Sequence, residues 1–382
     1  LEPDELNFVK PYLIGRDLTQ IWEERYIIDL FALNESDVRV QLPHIYQHLL
    51  ETVAPERKKN PRKQYRDKWW IFAEPRPAMR ASLAGLTRFI ATPYTAKHRI
   101  FVFVDKKYIP DAMAYVIADD DAAILAILSS DIHSCWSAAN SGTLEDRPRY
   151  NKARTFDPFP FPVPPEALRQ KLREAGEELD ALRKRVQAEN PDITLTGLYN
   201  VLEKVKSGAA LSEKDEDVKR RGLVLILREL HETIDRLTFD AYGWPHDLTD
   251  EQILERLVAL NAERAKEEAA GHVRWLRPDY QIPRFGKGAL AKTGELALPD
   301  TAVAAAVAGL PAFPSDPYEQ PLAVEAALAA AGRPMAADEL ARGFKGSAKA
   351  RRARIEQVLA TLARYGRVTA SPDGRYVSRR AA

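Results

Sequence analysis

The run Phe156-Asp157-Pro158-Phe159-Pro160-Phe161-Pro162-Val163-Pro164-Pro165 constrains this chain more than any other stretch. Five of its ten residues are proline, each of which fixes φ and removes a backbone donor. Such a segment neither continues a helix nor serves as a central strand, so it marks a boundary or a stiff linker. The hydrophobic period changes across it.

Upstream, short β-branched or aromatic stretches predict strands at Arg25–Leu30, Trp69–Phe72, Arg88–Ala91, Ile100–Val104 and Ala114–Ala118. Asp121–Ser130 and His133–Ala139 read as helices, with Ile124, Leu125 and Leu128 on one face. Downstream, Leu168, Leu172, Ala175, Leu179, Leu182 and Val186 alternate spacings of four and three. Leu223, Leu227, Leu230, Ile234, Leu237 and Ala241 repeat that pattern, so two long helices are expected to pack seam to seam. Leu195–Lys206 and a polar loop, Ser207–Asp217, lie between them, and Asp250–Ala270 adds a third helix. Residues 287–319 mix Gly, Ala and Pro and read as a linker.

The tail has its own pattern. Pro321–Ala331, Ala336–Gly343 and Ser347–Tyr365 predict three helices. Arg367–Ala370 and Arg375–Ser378 then flank the turn signal Ser371-Pro372-Asp373-Gly374, giving a winged-helix order. The expected class is therefore α+β: a mixed α/β domain (1–163), a long-helix bundle (164–286), a linker (287–319) and a winged-helix-like domain (320–382).

Composition narrows the function classes. The chain has 382 residues, 45% hydrophobic and 29% charged, and a mean hydropathy of −0.36, which excludes wholesale disorder. No apolar run approaches the roughly 18–20 residues of a membrane span. Cys135 is the one cysteine, so neither a disulfide framework nor a thiolate zinc site is expected, and a reducing cytoplasm is the expected compartment. The start, Leu1-Glu2-Pro3-Asp4, carries no initiator Met or signal peptide, and the chain is expected to be the C-terminal part of something longer. No phosphate loop, dinucleotide fingerprint or paired-histidine motif occurs. Pro191-Asp192 with Asp217-Val218-Lys219 is a loose version of a metal-nuclease pattern and reads as a solvated charge run. His98 and His133 lack a nucleophile or carboxylate partner in sequence and read as structural, as does Cys135 beside Trp136. No catalytic, cofactor-binding or metal-binding residue is therefore expected.

Charge is segregated although the net is only +1. Arg57–Arg99 holds twelve cations against Asp67 and Glu74, while Asp105–Asp146 holds eight acids against two lysines. The 50 residues from Arg333 onward hold twelve cations and four acids. The bundle stretch 164–270 has 23 acids and 17 bases, and reads as scaffold. Candidate contacts to double-stranded DNA are Arg57, Lys58, Lys59, Arg62, Lys63, Gln64, Tyr65, Arg66 and Lys68, followed by Arg76, Arg80 and Arg88. Tyr94, Lys97 and Arg99, then Arg147, Arg149, Tyr150, Asn151, Lys152 and Arg154, complete the set. Arg and Lys neutralise phosphates, whereas Asn, Gln and Arg can read base edges. The first window also fits a solvated loop entering a strand, with Trp69 and Trp70 partly in the core. Lys345, Lys349, Arg351, Arg352 and Arg354 surround the start of the third tail helix and form a second candidate DNA contact.

Ordered matches point to a family. They are Lys10-Pro11-Tyr12-Leu13-Ile14-Gly15-Arg16-Asp17, Ser129-Ser130-Asp131-Ile132-His133-Ser134-Cys135-Trp136, Gly142, Arg149-Tyr150-Asn151 and the Phe-Pro run. Leu195-Thr196-Gly197-Leu198-Tyr199-Asn200, Leu230-His231-Glu232 with Asp235, and Ala241-Tyr242-Gly243-Trp244-Pro245 follow. Asn261-Ala262-Glu263-Arg264 and Trp275-Leu276-Arg277-Pro278-Asp279-Tyr280-Gln281 close the series. Together, over about residues 8–285, they resemble the target recognition domain and helical C-terminal part of MmeI-like restriction–modification enzymes. The resemblance implies sequence-specific recognition of double-stranded DNA for an adenine-N6 methyltransferase. That family's Asn-Pro-Pro-Tyr tetrapeptide and its glycine motif for S-adenosylmethionine are absent here. Asn60-Pro61-Arg62-Lys63 is no substitute, because a cation stands where an aromatic would stack on a flipped adenine. The resemblance thus implies a catalytic domain, with its S-adenosylmethionine, outside this chain, in cis or in trans. The winged-helix-like tail is not part of that pattern. A second reading remains open: a non-enzymatic winged-helix DNA-binding or regulatory protein that forms homo-oligomers through its helices.

Overall fold

The structure is a computed structural model. It describes residues 1–286 apart from 142, 145 and 146, and then 313–314, 319–331, 333–345, 348–364, 367–371 and 375–378. Two compact units result, Leu1–Ala297 and Leu298–Ala382.

In the first unit, helix α1 (Pro3–Leu6) brings in the buried Glu5. Its carboxylate accepts the His44 N–H at 2.9 Å and the Ile45 N–H at 3.3 Å. Strand β1 (Val9–Leu13) pairs antiparallel with β2 (Tyr26–Ile28), Val9 opposite Ile28. Helices α2 (Glu35–Gln41), α3 (Pro43–Thr52), α4 (Ala54–Lys58) and α5 (Lys63–Asp67) then form a small helical layer. Its own core is Leu30, Val38, Leu42, Ile45, Leu49, Ala54 and Trp69. The Glu5 carboxylate satisfies otherwise orphaned donors at the start of α3, tying the layer to the N-terminal segment.

After α6 (Pro77–Leu83), strand β3 (Arg88–Pro93) pairs antiparallel with both β4 (Val102–Asp105) and β6 (Ala114–Ile117). Ile90 faces Phe103 on one side and Ile117 on the other. Every residue of β3 after Arg88 is buried, which explains its continuous apolar run rather than alternation. Strand β5 (Ile109–Pro110) joins β1 in parallel, completing a β2-β1-β5 sheet. The expected strand at Trp69–Phe72 is not formed; residues 69–70 are turn and Ile71 is a bend. Trp69 and Trp70 point into the helical layer, donating to Glu35 Oε1 (3.1 Å) and the Leu33 carbonyl (3.0 Å). Their aromatic signal is therefore core signal without a ladder.

Helix α7 (Ala122–Leu128) is buried along its whole length, and α8 (Asp131–Asn140) follows. A short hairpin comes next, β7 (Thr143–Leu144) against β8 (Arg147–Pro148). The Phe-Pro run then leads into α9 (Glu166–Glu189). The remaining helices are α10 (Leu195–Ser207), α11 (Glu213–Arg221), α12 (Val224–Tyr242), α13 (Asp250–Ala269) and the short α14 (Pro278–Gln281). Half of the expected polar loop 207–217 is thus the first part of α11, begun by a Ser212/Asp215 capping box. The seams meet as expected, with Leu172, Leu179, Leu182 and Val186 of α9 in one core with Leu227, Leu230, Ile234 and Leu237 of α12. Leu223 is the exception: at φ 51° it is the residue before α12 rather than part of it.

That core does not stop at the bundle. Phe89, Ala91, Val102 and Val104 of the sheet belong to the same cluster. Gly176 in α9 permits the contact, since a Cβ there would collide with the Ala122 carbonyl of α7. Asp121 accepts from the Ala123 N–H and from Arg169 and Arg173 of α9, so one carboxylate both caps α7 and clamps the bundle.

The second unit has helices Gln320–Ala331, Ala337–Arg342 and Ala348–Arg364, then antiparallel strands Val368–Ala370 and Tyr376–Ser378. Met335, between the first two helices, exchanges both backbone hydrogen bonds with Tyr376 at 2.9 Å. Val324, Leu328, Leu340, Phe344, Ile355, Leu359 and Val368 form its core. The order is that of a winged helix. Of the expected turn and linker, residues 372–374, 287–312 and 315–318 lie outside the described residues.

Candidate nucleic-acid interface

The first cationic window is presented on α4, α5 and the link between them. Ala54 and Trp69 are the buried anchors at its two ends. Lys58, Lys59, Arg62, Lys63, Gln64, Arg66 and Lys68 are exposed, and Arg57 and Tyr65 are half-buried. Asn60 Oδ1 accepts from the Arg62 N–H at 2.9 Å, forming a side-chain turn that sets up α5. Arg66 donates to the carbonyls of Asn60 (2.8 Å) and Pro61 (2.9 Å). Arg62 donates to the Tyr65 hydroxyl at 2.8 Å, and Arg57 and Arg62 both lie over the Tyr65 ring. These guanidiniums are held by neutral partners, which orient them without cancelling their charge. Lys63 has only a marginal contact with Asp67, at 4.0 Å. The result is a positive shelf suited to phosphates.

Other expected contacts are spent inside the protein. Arg80 makes a two-pronged pair with the half-buried Asp29 (2.7 and 2.9 Å) and stacks on Phe31. Arg88 pairs with Glu177 of α9 and covers the Phe103 ring at 3.6 Å. Arg99 is largely buried, bonded to Thr92 Oγ1 and to the carbonyls of Pro93 and Pro148, and burial draws its pKa down to about 10. Tyr150 is fully buried, its hydroxyl 3.0 Å from His133 Nε2. All four are engaged by the protein's own groups, which charge and aromaticity in the sequence do not reveal. Arg76 is exposed but paired with Glu74 at 2.7 Å.

Residues 94–99 and 147–154 do converge. Thr95 bridges Arg149, and the Tyr150 N–H donates to the Tyr94 carbonyl at 2.8 Å. Arg149 is half-buried and Arg154 exposed, while Lys152 pairs with Asp157 at 2.5 Å. Asn151 is a cap: its Oδ1 accepts from the Arg154 N–H at 3.2 Å. The backbone of Arg147 lies in β8, and its side chain is outside the described residues. Lys97 turns to the bundle, reaching Asn200 Oδ1 (2.8 Å) and Glu203 (2.9 Å). Of the tail set, Lys345, Arg351, Arg352 and Arg354 surround the start of the third helix of the second unit; the Lys349 side chain is outside the described residues.

The nuclease-like pattern dissolves, since Asp192 and Asp217 both pair with Arg221. Among the described residues no group of three metal-ligating side chains occurs. His133 is fully buried, and burial with the nearby Arg99 drives its pKa down to about 3, so it stays neutral. Cys135 is pushed up to about 11 by burial and adjacent acids, which leaves the thiol unreactive. Sequence reasoning missed Arg183, almost wholly buried in α9. It donates to the Phe101 carbonyl at 2.8 Å and to the Tyr199 hydroxyl, which in turn lies 2.7 Å from His231 Nε2. Tyr199 and His231 both lie in family-like motifs, and that was the available signal. A cleft of about 580 Å³ lies beside this network, bordered by Lys97, Asp131, Glu203 and Lys206.

Residues 1–163 match the family model described as MmeI, target recognition domain. Over these residues the chain is similar to an MmeI target recognition domain. In fold, the chain matches the solved structure of the Type IIL restriction-modification enzyme MmeI in complex with DNA. The identity is 20% and the TM-score 0.50, over 69% of this chain and 32% of that one. The chain therefore spans about a third of that enzyme's length. No curated protein matches the chain. The target recognition domain ends in the Phe-Pro run, whose carbonyls at Pro158 and Pro160 accept from Asn261 and Tyr242 of the bundle. Both donors come from family-like motifs, so those motifs fasten the target recognition domain to the helices behind it.

Proposed function

We propose that this chain reads duplex sequence as the specificity portion of an adenine-N6 DNA methyltransferase of a restriction–modification system. The match of residues 1–163 to a target recognition domain carries the reading. The exposed shelf on α4 and α5 supports it by supplying oriented, unneutralised cations for the backbone. The methyltransferase domain, with its S-adenosylmethionine, is proposed to lie outside this chain, in cis or in trans, and to receive the adenine flipped from the bound duplex. A cytoplasmic location and self-association through the helices belong to the same proposal. No single described helix is long and apolar enough to cross a membrane.

Fluorescence anisotropy against duplexes at several salt concentrations tests this. R62Q/K63Q/R66Q is expected to weaken binding to every sequence about equally and to flatten the salt dependence, roughly 0.9 in slope per lost phosphate contact. Selection from a random duplex pool is expected to return one motif. A pool with no enriched sequence, or binding indifferent to salt, contradicts the proposal.

A further inference from the structure

The family match ends at residue 163 and leaves the winged-helix unit without a role. Four of its described acids are already engaged. Glu325 pairs with Arg367, Asp338 with Arg342, Glu339 with Arg333 and Glu356 with Arg352. At the start of the third helix, two guanidiniums are oriented by neutral groups instead. Arg351 donates to the carbonyls of Lys345 (2.5 Å) and Phe344 (3.3 Å). Arg354 donates to the side-chain carbonyls of Gln320 (2.6 Å) and Gln357 (3.1 Å). Lys345 is exposed, and Arg352 keeps 57% of its side chain in solvent. The first turn holds no acid, so these cations face the positive end of the helix dipole, a cost that an approaching phosphate relieves.

We infer that this unit is a second double-stranded DNA-binding module, laying Lys345, Arg351, Arg352 and Arg354 of its third-helix face against duplex phosphates. The third helix is the element that a winged helix, as a helix-turn-helix variant, offers to a groove. The charge fits a polyanion: twelve cations and four acids from Arg333 onward. Phosphate-led contacts carry no sequence information, so the module adds grip and leaves selectivity to residues 1–163. Glu356, one turn beyond Arg352, opposes the same phosphates and moderates that grip.

The test uses the full chain and a duplex of arbitrary sequence, with anisotropy read from 50 to 200 mM KCl. R351Q/R352Q/R354Q is expected to lower affinity at least tenfold at 100 mM. It is also expected to flatten the log K against log salt slope by about 2–3, at roughly 0.9 per phosphate. E356Q is expected to bind several-fold tighter, a gain that unfolding cannot imitate. Unchanged affinity and slope in a triple variant with native circular dichroism would overturn the inference. So would E356Q with unaltered affinity, or tighter binding of single-stranded RNA of equal length. Failure of the first-unit reading shows separately, as an R62Q/K63Q/R66Q protein that binds duplex normally.

Discussion

His133 shows what a side chain does once the fold has chosen its surroundings. It caps nothing and activates nothing; it fills a fully buried place against Phe101, Tyr150 and Phe159, 3.0 Å from the Tyr150 hydroxyl. Its folded pKa of about 3 lies below the unfolded 6.5, so between those values the unfolded chain binds more protons. Stability from this residue is complete above pH 6.5 and is lost as pH falls toward 3. Asp119 (about 6) is raised first of all by burial, and Asp235 is raised by burial and the neighbouring Asp131; both act with the opposite sign, their folded forms holding the proton where the unfolded forms do not. The useful readout is therefore a difference. Urea unfolding of wild type and H133Q at pH 6.5 and 5.0 is expected to show wild type losing roughly 2 kcal/mol more than the variant. Equal losses in both proteins would contradict a neutral, buried His133.

At the scale of elements, Gly176 sets the contact between α7 and α9. In an isolated helix Gly→Ala gains about 1 kcal/mol. Here the added methyl meets the Ala122 carbonyl, which is backbone and cannot turn aside. G176A is expected to destabilise by roughly 1–3 kcal/mol despite the better propensity, measured as a lower urea midpoint at unchanged m. A stabilised G176A would mean that α7 can move away. The sequence made α9 and α12 legible because their seams repeat strictly, and the β3 strand legible because burial on both faces leaves an unbroken apolar run. It hid β1, where Lys10 and Pro11 interrupt the strand pattern, and β5, which is two residues long. The candidate site divides along the same line. Charge density marked the α4–α5 shelf, whereas Arg80, Arg88, Arg99 and Tyr150 share the same chemistry but are engaged within the protein. Only their tertiary partners, Asp29, Glu177, the Pro148 carbonyl and His133, distinguish the two groups.

Across the first unit, the proline-rich run separates two patterns of sequence but not two cores. Phe89, Val102 and Val104 of the sheet share one cluster with Leu172, Leu179 and Leu182 of α9, and Arg183 is bonded at once to Phe101, just ahead of β4, and to Tyr199 of α10. The family match ends at residue 163, but the packing does not divide there. Residues 1–163 alone would expose α7, seven consecutive buried residues, to water and leave Asp121 without Arg169 and Arg173. Burying such side chains contributes roughly 1.5–3 kcal/mol each for the larger ones, comparable in sum to the whole stability of a domain. The fragment 1–163 is accordingly expected to be aggregated, or compact without fixed packing, with weak near-ultraviolet circular dichroism and strong dye binding. The fragment 1–286 is expected to unfold in one cooperative transition and to keep selective duplex binding. Cooperative unfolding of 1–163 by itself, with native near-ultraviolet signal, would show that the shared core is dispensable and that the bundle merely accompanies the reader.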